Sequence, residues 1–141
     1  MTDKVEEKTA DKKQEPGVPD ISQVLAAYDK APSQADIELW KNKYGDIFVS
    51  GFSDTELFVW RPLQRGEYVN LQKQLRTPAT DGSAPTELDF EEWVVEACVL
   101  WSSDDKLVLR KGGTIGTLSE QIMSNSNFMP PNYAALLVAK L

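Results

Sequence analysis

Arg61, Arg65 and Glu67 fall within "LFVWRPLQRGEYVNLQKQL", residues 57–75, with Trp60 and Tyr68 beside them. Two guanidinium groups, a carboxylate and two aromatic rings this close in sequence could form a site built on carboxylate chemistry. They could equally form a brace, because the stretch begins with strand-forming residues, passes Pro62 and continues as a helix. The rest of the chain offers such a site little help. It holds no histidine and one cysteine, Cys98. Histidine is the usual proton carrier near neutral pH and a common metal ligand. Its absence removes Ser-His-Asp triads, Cys-His dyads and every ordinary zinc site. The brace is therefore the better reading of Arg61, Pro62, Arg65 and Glu67. Glu67 sits in the first helical turn, where a carboxylate is favoured. From there it can reach back to Arg61 or Arg65 and fix the angle between strand and helix. No catalytic residue, cofactor or metal is expected.

The other polar candidates have structural readings. Glu91 and Glu92 are expected on the exposed side of the first turn of a helix, where they complement its dipole. Asp104 and Asp105 fall in a turn without the alternating ligands of a calcium loop. "KGGTIGT" is the one Gly-rich loop, and it lacks the GK[ST] of a phosphate-binding loop, so Gly112 and Gly113 are read as a tight turn. Ser119, Ser124 and Ser126 have no base to activate them. Cys98 lies on an apolar stripe and is expected to be an inert core thiol. The aromatic residues remain, including Trp40, Trp60, Trp93 and Trp101. Phe48, Phe58 and Trp60 share one face of a predicted hairpin, and bare they would make a large apolar patch. They are the expected partner-binding residues, with Trp60 turned outward as an anchor.

The elements that position these residues can be read from periodicity and caps. Asp20 caps a short helix with Ile21, Val24, Leu25 and Tyr28 on one face, ended by Pro32. Ser33 and Asp36 have capping-box spacing at the start of a second helix, closed by Gly45. "DIFVSGF" and "TELFVWR", joined at Ser53 and Asp54, predict a β-hairpin with apolar groups on both faces, which helices or a partner must cover. A helix follows from about Gln64 to Leu75, then the loop "TPATDGSAPTE". "ELDFEEWVVEACVLW" reads as a central helix with Phe90, Val94, Ala97, Cys98 and Trp101 inward. "SSDDKLVLRKGG" predicts a turn and a short apolar segment, "TLSEQIMSNSNF" a helix with Leu118, Ile122 and Met123 inward, and "PPNYAALLVAKL" a last helix. The expected fold is α+β: one mostly helical domain over 19–141, with one β-hairpin packed against helices. Residues 1–18 are charged and nearly devoid of apolar side chains, and are expected to be a disordered tail.

The 141 residues suffice for one domain and carry a net charge of −7. That balance argues against nonspecific nucleic-acid binding and against anionic membrane surfaces. No run approaches the roughly 18 apolar residues of a spanning helix. No secretory leader is read at the N-terminus, and a cytosolic protein is expected.

The order of short motifs resembles a known group. "W-K-x-x-Y-G" (40–45) is followed by "F-x-W-R-P-L-x-R-x-E-Y" (58–68), by an acidic helix leading to "C-V-L-W" (98–101), and by a Gly-rich turn into "L-S-E-Q-I-M-x-x-S-x-F" (118–128). This resembles small tail- and baseplate-assembly proteins, of the assembly-chaperone type, from contractile-tailed bacteriophages. The likeness covers residues 37 to 128. It departs from the group at Ser102, where proline is usual. It implies a non-catalytic protein of the host cytoplasm or the virion, working by contact with other tail or baseplate proteins, self-association included. The alternative is a small acidic adaptor or inhibitor that occupies a basic surface of a host protein.

Overall fold

The computed structural model describes residues 20–104, 111–128 and 138–141. The charged segment read over 1–18, the apolar stretch near 106–110 and all but the last four residues of the helix read over 130–141 lie outside them. The described residues form a small α+β domain of five helices and a three-stranded antiparallel sheet. In chain order these are α1 (Ile21–Ala27), α2 (Gln34–Tyr44), β1 (Phe48–Gly51), β2 (Leu57–Trp60), α3 (Arg65–Arg76), α4 (Glu87–Cys98), β3 (Val99–Ser102) and α5 (Thr114–Asn125).

Local chemistry sets most of the boundaries. The Asp20 carboxylate accepts the Ser22 N–H at the start of α1. At α2 the Ser33 hydroxyl accepts from the Asp36 N–H and the Asp36 carboxylate accepts from the Ser33 N–H, a complete capping box. Gly45 closes α2 with φ of +89°, a conformation other residues rarely adopt.

The sheet differs from the expected lone hairpin. β1 and β2 pair in the predicted antiparallel way, Phe48 opposite Trp60 and Gly51 opposite Leu57. A third strand then lies on the far side of β2. The predicted central helix stops at Cys98, and Val99–Ser102 turns at once into a strand, with Phe58 opposite Ser102 and Val59 opposite Trp101. The reason is tertiary. The outer edge of β2 needs backbone partners, and the β-branched and aromatic residues of "VLW" fit a pleated surface as well as a helix. Trp60 stands opposite Val99, which leaves Leu100 as an extra residue in a bulge of β3.

β2 is thus the central strand, and all four of its side chains are buried. They divide between two cores, as alternation demands. Leu57 and Val59 meet Leu25, with Ile21, Val24, Trp40 and Trp101 around them. Phe58 and Trp60 meet Leu63, Val94, Val95, Cys98, Leu118 and Ile122. α1 therefore covers one face of the sheet, and α4 with α5 covers the other. Each fully buried apolar side chain of β2 contributes roughly 1.5–3 kcal/mol of burial free energy.

Candidate functional site

The strand-to-helix joint is held from three directions. Arg61, 7 % exposed, continues the β2 ladder through its backbone N–H, which donates to Cys98 O at 3.1 Å. Its guanidinium reaches forward to α3, where Nη1 donates to Glu67 Oε1 at 2.8 Å and Nη2 to Glu67 Oε2 at 2.6 Å. Nη2 also donates to Ala97 O at 2.7 Å, and Nη1 to Pro62 O at 3.2 Å. The ring of Tyr44, at the end of α2, lies 4.6 Å from the guanidinium carbon, a cation–π contact. One side chain therefore joins β2 to α2, α3 and the end of α4. Its Nε is the one buried side-chain polar atom among the described residues that lacks a hydrogen bond.

Glu67 does two jobs. Besides meeting Arg61, its Oε1 accepts the Gln64 N–H at 3.0 Å, which caps α3. The hydrogen bond from Arg61 holds its carboxyl below the usual value, and burial works the other way. Glu67 in turn raises Arg61 above the ordinary arginine value. Pro62 has no N–H to satisfy. The Leu63 N–H donates to Ser126 Oγ at 2.8 Å, and that hydroxyl donates to Ile122 O at 2.6 Å, tying the joint to the last turn of α5. Arg65 takes no part in the ion pair; it lies over the Tyr68 ring at 5.9 Å.

The expected partner-binding patch is corrected. Phe58 is 0 % and Trp60 2 % exposed, both inside the core against α4 and α5, and Phe48 is half-buried and packed on the same cluster. Trp60 points inward, because β2 is central and both its faces are covered. Phe48 stacks on the Trp60 ring at 4.7 Å. Trp60 Nε1 donates to Ser50 Oγ at 2.8 Å, and Ser50 Oγ donates to Gln121 Oε1 of α5 at 2.6 Å. Phe58 and Trp60 cannot be a surface contact while the domain is folded.

The remaining candidates are placed as follows. Cys98 is fully buried, and desolvation pushes its thiol up to about 11. Glu92 is exposed, whereas Glu91 is half-buried with its carboxylate against Gly116 of α5. Gly112 and Gly113 form the turn into α5, and Lys111 before them pairs with Glu56 at 3.0 Å. Ser119 is buried in α5. Asp104 lies in the bend after β3, its carbonyl accepting from the Ser102 hydroxyl; Asp105 is outside the described residues. Among the described residues no group of three or more Asp, Glu or Cys side chains could hold a metal ion, and no helix is long and apolar enough to cross a membrane.

Sequence reasoning missed Tyr44, Ser50, Ala97 O, Gln121 and Ser126 as parts of these networks. Ser50 had a usable signal, a lone hydroxyl at the inward position of an apolar strand. The others are joined to the site only by the folded chain. Comparisons with protein-family models, with curated proteins and with solved structures give no match for this chain.

Proposed function

We propose that the chain is a non-catalytic bacteriophage tail or baseplate protein that acts by protein–protein contact in tail assembly, as an assembly chaperone or as a structural component of the virion. The observation that carries this reading is how the polar residues of "F-x-W-R-P-L-x-R-x-E-Y" are used. Arg61 and Glu67 are committed to each other, to Ala97 O and to the Gln64 N–H. The residues most suited to chemistry thus serve to hold β2 against α3 and α4, and the order of motifs along 37–128 resembles that of the phage proteins. A protein built this way works through its outer surface, on other tail or baseplate proteins or on itself. Its setting is the host cytoplasm, and the virion if it stays bound.

Size-exclusion chromatography with light scattering, with and without purified tail components, tests the reading. The expected result is self-association or a complex with one of them, and a monomer that ignores every tail protein overturns it. Mass spectrometry of purified particles then separates a departing chaperone from a resident subunit. The net charge of −7 favours a second reading, a small acidic adaptor or inhibitor on a basic host surface. Binding of that kind weakens steeply with salt, whereas an apolar contact does not.

A further inference from the structure

Among the described residues the outer edge of β1 has no strand partner, and it lies along a cleft. Phe52 donates its backbone N–H to Glu56 O at 2.9 Å, and Ser50 and Phe48 stand opposite Phe58 and Trp60. Antiparallel pairing alternates, so the ladder to β2 is carried by Phe48, Ser50 and Phe52. The other side of β2 agrees: Leu57 O accepts the Ser103 N–H, and the Arg61 N–H reaches Cys98 O. The backbone N–H and C=O of Val49 and Gly51 therefore point away from the sheet, and no hydrogen bond joins them to another described residue. Two donors and two acceptors stand about 7 Å apart, the repeat of an extended chain.

A cleft of about 460 Å³ lies along this edge, with Ile21 and Val24 of α1 on one side and Gln121 of α5 on the other. It shares Val24 and Asp54 with a neighbouring cleft of about 550 Å³ that continues past Asp29 and Lys30. Phe52, 41 % exposed, forms part of the first cleft.

We propose that this edge is a docking site for an extended segment of a partner protein, which adds to β1 as a fourth strand with a basic residue beside Asp54. The backbone groups of Val49 and Gly51 fix the occupant as a strand, since only another extended chain matches donors and acceptors at that spacing. The walls fix its alternation. Side chains facing Ile21 and Val24 are apolar, and those facing Gln121 are polar. Charge fixes the flank: Asp54 lines both clefts, and a chain of net charge −7 favours a basic partner. A second copy is a poor occupant, because the edge is recessed between α1 and α5 and each copy carries the same charge. The site stands on the geometry of β1 and does not depend on the phage reading.

The test begins with selection of a random heptapeptide display library on the full-length protein. The best peptide is then synthesised with a fluorophore and titrated by fluorescence anisotropy. Selected peptides are expected to carry Lys or Arg. N-methylating the backbone of alternate residues should weaken binding at least tenfold for one alternate set and leave it within about threefold for the other, because only one set faces β1. Val49→Pro removes an outward N–H that the ladder does not use, so the strand should survive and peptide affinity should fall at least tenfold. Circular dichroism checks that variant; should it not fold, the N-methyl comparison on the wild-type protein decides alone. No enrichment from the library overturns the proposal. So do equal effects of the two methylated sets, or unchanged affinity in folded Val49→Pro. A dimer of the free protein that Val49→Pro dissolves would put a second copy on the edge and also overturn it.

Discussion

Arg61 and Glu67 face each other through two parallel hydrogen bonds, Nη1 to Oε1 at 2.8 Å and Nη2 to Oε2 at 2.6 Å, across the joint between β2 and α3. Such a fork-to-fork pair fixes direction as well as distance. Because Arg61 also meets Ala97 O and its backbone N–H meets Cys98 O, the pair sets the position of α3 relative to the end of α4.

Glu67→Ala leaves the Arg61 guanidinium buried with backbone carbonyls alone as acceptors, and removes the cap on the Gln64 N–H. Removing one partner of a well-buried pair costs about 3–5 kcal/mol. Glu67 is 31 % exposed at its side chain, so the expected loss is about 2–3 kcal/mol. Urea unfolding followed by tryptophan fluorescence measures it. Arg61→Lys should recover little, since an ammonium cannot reproduce the fork.

The same pair gives the fold an acid limit. Arg61 holds the Glu67 carboxyl below its ordinary value of 4.5, so the native state binds this proton less readily than the unfolded chain. The contribution is present above about pH 4.5 and is lost as pH falls through the lower folded value. Unfolding free energy measured from pH 7 down to pH 3 should decline over the acid end. In Glu67→Gln that decline should be shallower, on a lower plateau.

Trp60 gives a prediction opposite to that of an exposed anchor. Its Nε1–H is satisfied by Ser50 Oγ inside the core, and Ser50 is satisfied in turn by Gln121. Trp60→Ala should cost about 3–5 kcal/mol of stability through the cavity it leaves. Ser50→Ala should cost about 1–3 kcal/mol, because it strands a buried N–H. Thermal and urea unfolding of both variants check this. Stability unchanged in Trp60→Ala would put the ring outside.

How much of this was legible follows from where the determinants lie. α1 and α2 were readable because their caps, Asp20, Ser33, Asp36 and Gly45, lie within a few residues of what they cap. That Glu67 pairs back to an arginine of the joint was readable for the same reason, but the choice of Arg61, six residues away around Pro62, over Arg65 was not. β3 was not. "CVLW" fits an apolar helix stripe and a strand equally well, and the choice is made by the unpaired edge of β2, some forty residues earlier. The direction of Trp60 was not legible either. Alternation shows that β2 has two apolar faces, and does not say whether a helix covers each. Ala97 O, Tyr44 and Ser126 reach the joint from three separate elements, and nothing local marks them.

Cys98 should behave as a reporter of opening. Burial raises its thiol from an ordinary value of 9.0 to about 11, so at pH 8 it is almost wholly protonated in the native state. Thiolate is the reactive form, and the side chain is fully enclosed. Labelling by a thiol reagent at pH 8 should therefore be at least about a hundredfold slower than in denatured protein, with a rate set by unfolding. Because the folded value is the higher one, the linked stability is whole below pH 9.0 and is lost as pH rises towards 11. Cys98→Ala should remove that part of the alkaline decline.

Gly51 marks where α1 meets the sheet. A methyl group built there would overlap Ile21 Cδ1 and stand 3.0 Å from Leu57 Cδ2, so the close approach of α1 requires the missing side chain. Leu57 is fully buried in the central strand and cannot yield; Ile21 lies on a seven-residue helix and can. Gly51→Ala should therefore displace α1 while leaving α4 and α5 in place, at about 1–3 kcal/mol. Shortening the neighbour to make room should relieve much of this, so the Ile21→Ala, Gly51→Ala double variant should be more stable than the sum of the single losses by about 1 kcal/mol. A double-mutant cycle by urea unfolding measures the coupling. Amide hydrogen exchange should show faster exchange in α1 of Gly51→Ala with little change in α5. Strict additivity, or loss of protection spread evenly over the domain, would show that α1 is not seated on Gly51.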